Sequence, residues 1–472
     1  MTALIKYNYE YNLNIKRCGL TIPDDVSYEE DLPTKTILLV GNGFDLRAGI
    51  KSSFKDFIFF VIYGCALHNI RSDTMFAEIQ ESEYIKAKNT YPCQLDILIN
   101  LKDSNICSLC SEFADNILGR LIIDHLFVNE TFCNLIPHFC SYLKNRVVTK
   151  DECESIKTMY GLNYIRQIRE LEVPRNELNN GIGTLIYLIE RERNLLNNNP
   201  NIEYWLDIES VIEMIVTDSE ELKKKYAFDT GEVIKWNLST SKCYMKGLEL
   251  FEMLLTEYLK EAQKIDVNPE KVQEYFDSLR DSHLHSLVRR SHGRIIDFNL
   301  LSPDILINYN YTNIAERYYK SLKIEPTVIH INGALLPSDE IRLKELNTNI
   351  VIGYTNFNKR TVSKEAFPFE KSSRRIIKNT DYVDIDSIIE SDTFDLIVFG
   401  HSCGVADSDV ISKLLSSDRL KTAVILCHSY IDLVLSFNNI KAMLTEEKFN
   451  DLMTFSKKDI CNNLYFSVEN KD

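Results

Sequence analysis

Apolar positions along the 472-residue chain follow two patterns. The first is a set of short, continuous runs of β-forming residues that end in glycine or polar clusters. They are Thr36-Ile-Leu-Leu-Val-Gly41-Asn42-Gly43, Asp304-Ile-Leu-Ile-Asn308-Tyr309-Asn310, Thr327-Val-Ile-His330-Ile-Asn332-Gly333, Asn349-Ile-Val-Ile-Gly353, Phe394-Asp-Leu-Ile-Val-Phe-Gly400-His401-Ser402 and Thr422-Ala-Val-Ile-Leu-Cys427-His428. Runs this short and this uniformly apolar predict strands buried on both faces of a parallel sheet. The second pattern is helical periodicity, which predicts helices over 107–127, 153–169, 179–195, 204–216, 244–263 and 269–287. Few strand signals interrupt the stretch from 68 to 290.

The predicted architecture is therefore α/β. A Rossmann-like parallel sheet is formed by 35–67 and 291–472 and is interrupted by a large α-helical insertion over 68–290. Residues 1–34, rich in tyrosine and asparagine and then acidic, read as an N-terminal extension. In such sheets ligands bind at the carboxyl ends of the strands, so the polar clusters converge on one rim.

The first cluster is the most informative. A strand, a tight Gly41-Asn42-Gly43 turn and a helix start present backbone N–H groups to an anion, so a phosphate or nucleotide is the expected ligand. The G-x-G-x-x-G fingerprint is incomplete, because Leu46 stands at its third glycine. Asp45 would repel a pyrophosphate unless it faces a ribose hydroxyl or caps the helix. Ser52-Ser-Phe-Lys-Asp-Phe57 then predicts a helix whose aromatic face lies on the sheet.

Hydrophobic residues at 44% and aromatics at 10% suffice for a large core. A net charge of −15 argues against bulk nucleic-acid binding. The clearest basic cluster, Lys359, Arg360, Lys364, Lys371, Arg374, Arg375 and Lys378, reads as a solvated loop face. Twelve cysteines without a disulfide framework, and no leader-like opening, predict a reducing cytoplasmic setting. The longest apolar run, from Phe57 to Leu67, is too short for a bilayer, so no membrane contact is expected. Cys107-x-x-Cys110, with Cys133, His138 and Cys140 downstream, has irregular spacing. It reads as thiols on one buried helix face, and no metal is expected.

Two further motifs allow alternative readings. In Trp205-Leu-Asp207-Ile-Glu209, Asp207 is a helix cap with Trp205 as a staple, or the element is a lid that brings Glu209 or Asp207 over the glycine turn. Gly400-His-Ser402-Cys-Gly404 fits a nucleophile elbow, with Asp407 or Asp409 and His428 completing a triad. The short chain beyond Gly404 counts against that serine hydrolase, which needs more sheet after its nucleophile.

Taken together, Gly-Asn-Gly-Phe-Asp-Leu, the Ser-Ser-Phe-x-Asp-Phe helix, Trp-x-Asp-x-Glu, Asn308-Tyr-Asn310-Tyr-Thr312-Asn313, His330-Ile-Asn-Gly333 and Gly400-His-Ser402 followed by Asp407-Ser-Asp409 resemble the AbiH family of bacteriophage abortive-infection proteins. The resemblance runs from residue 36 to about residue 430. It implies antiphage defence and a distant similarity to SIR2-like NAD-binding domains. By that resemblance NAD+ is the expected substrate or ligand. Gly41, Asn42, Gly43, Asn308, Thr312, Gly333, Gly400, His401, Ser402 and Asp407 would hold the nucleotide, and Asn310 would contact its ribose. Asn332 stands where the SIR2-like pattern has its catalytic histidine, and an amide cannot serve as a base near neutral pH. His330, two residues earlier, is then the substitute base, and Asp45 or Glu209 would stabilise positive charge or deprotonate water. A non-catalytic nucleotide sensor is the alternative. The expected partners are the nucleotide, a phage-derived trigger and a second copy of the chain.

Overall fold

The computed structural model describes residues 34–70, 93–101, 104–116, 118–119, 122–123, 208–217, 238–264, 271–274, 302–335, 349–355, 364, 366–381, 385–427, 429–453 and 463–468. In the strand β1 (Lys35–Val40) alternate side chains enter opposite apolar layers. Leu38 and Val40 lie in one layer, Ile37 and Leu39 in the other. This two-sided burial is why the strand reads as a continuous apolar run rather than an alternating one.

β2 (Ile305–Asn308), β3 (Thr327–His330), β4 (Phe394–Phe399), β5 (Leu420–Cys427) and β6 (Asn463–Val468) complete a six-stranded sheet in the order β3-β2-β1-β4-β5-β6. All five pairings are parallel. The chain reverses its direction of travel across the sheet between β1 and β4, and the crevice at such a reversal is where open α/β sheets bind ligands.

The first layer is covered by α1 (Asn42–Arg47), α2 (Phe54–Ile70), α3 (Cys93–Leu101), α4 (Ser104–Asp115), α5 (Ile208–Thr217), α6 (Leu238–Ala262) and α7 (Ile314–Ser321). The second is covered by α9 (Ile385–Ser391), α10 (Ser408–Ser416), α11 (Tyr430–Met443) and α12 (Glu446–Met453). A short helix, α8 (Lys371–Ile377), lies at the carboxyl rim of the sheet.

Five of the six runs expected to be strands are strands. The exception is 349–353. Ile350, Val351 and Ile352 are fully buried, yet the segment forms no ladder, and only Tyr354 bridges to Glu370. Its donors are already engaged elsewhere: Val351 N–H bonds the Asn332 carbonyl at 2.9 Å, and Ile352 N–H bonds Glu252 Oε1 at 2.9 Å. Conversely, β6 was not expected from the sequence. It pairs along β5 from Thr422 to Cys427.

Helix α2 forms where the Ser52 to Phe57 pattern predicts one. Ser53 Oγ accepts from Asp56 N–H at 3.1 Å at its start. Its rings pack against α6 as well as the sheet layer, with Phe57 and Phe251 centroids 4.9 Å apart. Cys107 and Cys110 are buried cysteines on α4. The expected helices at 153–169 and 179–195, Trp205, Asp207, Cys133, His138, Cys140, Lys359, Arg360 and His428 lie outside the described residues.

Candidate functional site

Parallel register brings the strand ends level. Val40 is opposite both Asn308 and Phe399, and Asn308 is opposite His330. The residues that follow these ends, from four separate stretches of chain, are therefore neighbours.

Gly41 and Gly43 are needed because the turn after β4 passes directly over them. A Cβ on Gly41 would lie 2.7 Å from the Gly400 carbonyl oxygen, and one on Gly43 would lie 2.5 Å from Gly400 Cα. Gly400 itself has φ +66°, the left-handed region that favours glycine. Gly43 N–H donates to Gly400 O at 2.8 Å, and Gly41 N–H donates to Phe399 O at 3.0 Å. The Asn42 side chain accepts a hydrogen bond from Ser52.

Asp45, in the first turn of α1, does not cap that helix. Its carboxyl is buried at 1% exposure between Thr312 Oγ1, which donates at 2.6 Å, and Asn310 Nδ2, which donates at 3.2 Å. Burial is the main force raising its pKa to about 7. The Thr312 bond opposes the rise, and the Glu316 charge adds to it. Asn310 Nδ2 also donates to Gly41 O at 3.0 Å, tying the loop after β2 to the glycine turn. That loop is shaped by Asn308, whose Oδ1 accepts Asn310 N–H at 2.8 Å and whose Nδ2 donates to Thr312 O at 3.1 Å.

His330 and Asn332 face different partners. His330 Nε2 lies 3.0 Å from Glu316 Oε1. The Asn332 amide oxygen accepts from Arg375 Nε at 3.1 Å and Nη2 at 2.8 Å. Gly333, at φ +78°, lets residue 349 pass, since a Cβ there would sit 1.8 Å from the Asn349 carbonyl oxygen.

The basic cluster is the main surprise. Lys371, Arg374 and Arg375 are buried at 1%, 6% and 0% exposure, whereas Ile376 and Ile377 of the same helix are 61% and 70% exposed. The solvated-loop expectation is thus overturned for these cations, because each finds a carboxylate that is buried or largely enclosed. Lys371 pairs with Glu209 and with Asp407, the latter at 2.7 Å. Arg374 pairs with Glu252 at 2.7 Å, and Lys378 with Glu252 at 2.7 Å. Arg375 reaches Asp409 at 2.6 Å and Asp407 at 3.3 Å. Four cations thus meet four carboxylates, Glu209, Glu252, Asp407 and Asp409. Burial and charge balance are compatible on this footing, whereas an unpaired interior charge would not be tolerated.

Burial works against the charged Lys371 amine, but Asp407 and Glu209 outweigh it and raise its pKa. At Lys378 burial outweighs Glu252 and lowers it. Burial alone would raise Asp407, yet Lys371 and His401, with Arg375, hold it well below the usual carboxylate range. Glu209 therefore belongs to this ion cluster rather than standing as a free acid over the glycine turn. His401 has both ring nitrogens occupied. Nδ1 accepts Cys403 N–H at 3.0 Å, so Nε2 carries the proton and donates to Asp407 at 3.2 Å. Tyr309 covers the ring, with centroids 4.5 Å apart.

Ser402 does not have elbow geometry. The positive-φ residues of its turn are Gly400 and Cys403, and a 3-10 turn at Val405–Asp407 separates the serine from α10. A nucleophile elbow instead strains the serine itself and leads directly into its helix. Two residues at this rim escaped the sequence reading, Glu316 and Glu252. Glu252 belongs to the long helix α6 and is identified only by its cationic partners, and Glu316 only by the strand ends that meet it.

No helix among the described residues is long and apolar enough to cross a membrane. No curated protein and no solved structure matches the chain. The family described as bacteriophage abortive infection AbiH matches residues 37–428, most of the chain. That match spans β1 through β5 and every strand end that builds the rim, and the chain belongs to the AbiH family of bacteriophage abortive-infection proteins.

Proposed function

We propose that this abortive-infection protein binds a nucleotide at the carboxyl rim of its sheet and hydrolyses the N-glycosidic bond of NAD+ or a related nucleotide. In this reading a phage-derived trigger releases the activity in the cytoplasm, and loss of the nucleotide arrests the infected cell. The observation that carries the proposal is Asp45, a buried carboxyl with a pKa of about 7 in the helix that follows β1, held by Asn310 and Thr312. The order β3-β2-β1-β4-β5-β6 supports it, since doubly wound sheets of this order bind dinucleotides in that crevice. The helices between β1 and β2 form the insertion of a SIR2-like, Rossmann-type core.

The chemistry asks little of the protein. The C1′–N bond breaks, and nicotinamide leaves as a neutral base with the bonding pair. Water forms the new C1′–O bond, and its proton passes to the ionised Asp45 carboxylate. A base with a pKa near the working pH suits this step. Asn310 fixes Asp45 and orients the ribose.

A second reading is a nucleotide sensor without turnover. It is favoured by Arg375 holding the Asn332 amide oxygen and by the Gly43 N–H being taken by Gly400. Free nicotinamide released from NAD+ by the full chain, with and without phage lysate, separates the two. Hydrolysis abolished by Asp45→Ala and Asn310→Ala supports the enzyme. Saturable NAD+ binding without release leaves the sensor, and neither result leaves the rim purely structural.

A further inference from the structure

Asn308 and His330, register partners at the ends of β2 and β3, reach the same atom. Asn308 Nδ2 donates to Glu316 Oε1 at 2.9 Å, and His330 Nε2 lies 3.0 Å from that oxygen. A carboxylate oxygen accepts, so Nε2 bears a ring proton, and in the neutral imidazole Nδ1 keeps its lone pair. Among the described residues, His330 Nδ1 is buried and has no hydrogen-bond partner, and the same holds for Glu316 Oε2.

Buried polar atoms are nearly always satisfied, so an unsatisfied imidazole nitrogen at the ligand-binding end of a sheet calls for an explanation. The backbone offers a partial one: His330 N–H bonds Asp381 Oδ2 at 2.9 Å, which locks the residue in place without engaging Nδ1. The rest of the network leads back to the candidate centre. Asn308 holds the Thr312 carbonyl, and Thr312 holds Asp45. A carboxylate behind an imidazole, itself steered by an amide, is the arrangement that fixes a histidine's tautomer and ring orientation.

We propose that Glu316 is a positioning residue of the candidate site, fixing the His330 imidazole so that its Nδ1 lone pair accepts a hydrogen bond from a hydroxyl of the bound ribose. This rests on the nucleotide reading above. It also assigns His330 a contact that the amide at Asn332 cannot supply, since Arg375 occupies that oxygen.

The test uses the full chain with ¹⁵N-labelled histidine, the His330 signals being assigned by their loss in His330→Asn. NAD+ and ADP-ribose are the probes, and intrinsic fluorescence reads binding separately. Free protein is expected to show His330 protonated at Nε2, and NAD+ is expected to shift the Nδ1 resonance. Glu316→Ala is expected to mix the tautomers and weaken NAD+ binding about tenfold or more, with Glu316→Gln recovering most of the loss. The wild-type spectra decide the matter even if Glu316→Ala does not fold. Saturable NAD+ binding that leaves Nδ1 unmoved overturns the role of Glu316 and leaves the nucleotide reading intact. Failure of both NAD+ and ADP-ribose to bind overturns both.

Discussion

Asp45 ionises near 3.8 in an unfolded chain and at about 7 in the folded protein. The folded state therefore holds its proton more tightly, and the associated stability is complete below pH 3.8 and lost as pH rises through 7. The loss is on the order of 4 kcal/mol if the full difference is expressed. Asp395, in β4, is raised to about 6 by burial, with Thr422 and Lys421 opposing, and contributes a smaller loss that is complete once the pH has passed about 6. Thermal melts are expected to fall from pH 5 to about pH 7 for the wild type and then to level off. Asp45→Asn should make the fall shallower and remove the part between about pH 6 and pH 7, and an unchanged profile would mean that Asp45 is ionised in the fold. At this scale the sequence was informative about Asp45, because a carboxylate is out of place in a turn whose pattern suggests an anion as ligand. It was silent about Glu316, whose partners come from two different strands.

Helix α8 inverts the usual division of labour between charged and apolar residues. Lys371, Arg374, Arg375 and Lys378 are spaced i, i+3, i+4 and i+7, the signature of one buried helix face. Here that face is written in cations, so charge suggested solvent while spacing indicated the interior. The spacing was the reliable signal, because carboxylates on α5, α6 and α10 and in the turn before α10 pair with the cations and make the burial tolerable. Substitutions on the two faces should differ sharply. Arg374→Ala removes the nitrogen that contacts both Glu252 oxygens, leaves Lys378 as the remaining cation there, and is expected to cost about 2–3 kcal/mol, whereas Ile377→Ser on the exposed face should change stability by less than about 0.5 kcal/mol. Urea unfolding of the two variants measures the contrast. Equal losses would show that the ion cluster is not a structural centre.

Across the whole molecule, the sheet depends on strands far apart in sequence. β1 lies between β2 and β4, and β5 is flanked by β4 and the C-terminal strand β6. Ending the chain after Met453 removes β6 and uncovers the edge of β5, a run of buried apolar residues from Ala423 to Cys427. Unprotected apolar edges pair with other chains, so the truncated protein is expected to aggregate on size-exclusion chromatography where the full chain elutes as a discrete species. A well-behaved truncated protein would mean that β6 is dispensable for covering that edge.

The sequence by itself determined the parallel α/β class, five of the six strands and the convergence of Gly41, Asn308, His330 and Gly400 on one rim. Local composition suffices for this, since continuous apolar runs ending in polar or glycine residues have few other folded solutions. Tertiary structure alone decided what those rim residues touch. It set the glycines of the first turn against Gly400 and enclosed the α8 cations with Glu209, Glu252, Asp407 and Asp409. It also separated His330 from Asn332 by assigning one to Glu316 and the other to Arg375. These pairings join residues tens to hundreds of positions apart, where electrostatic and packing complementarity leave no periodic trace in the chain.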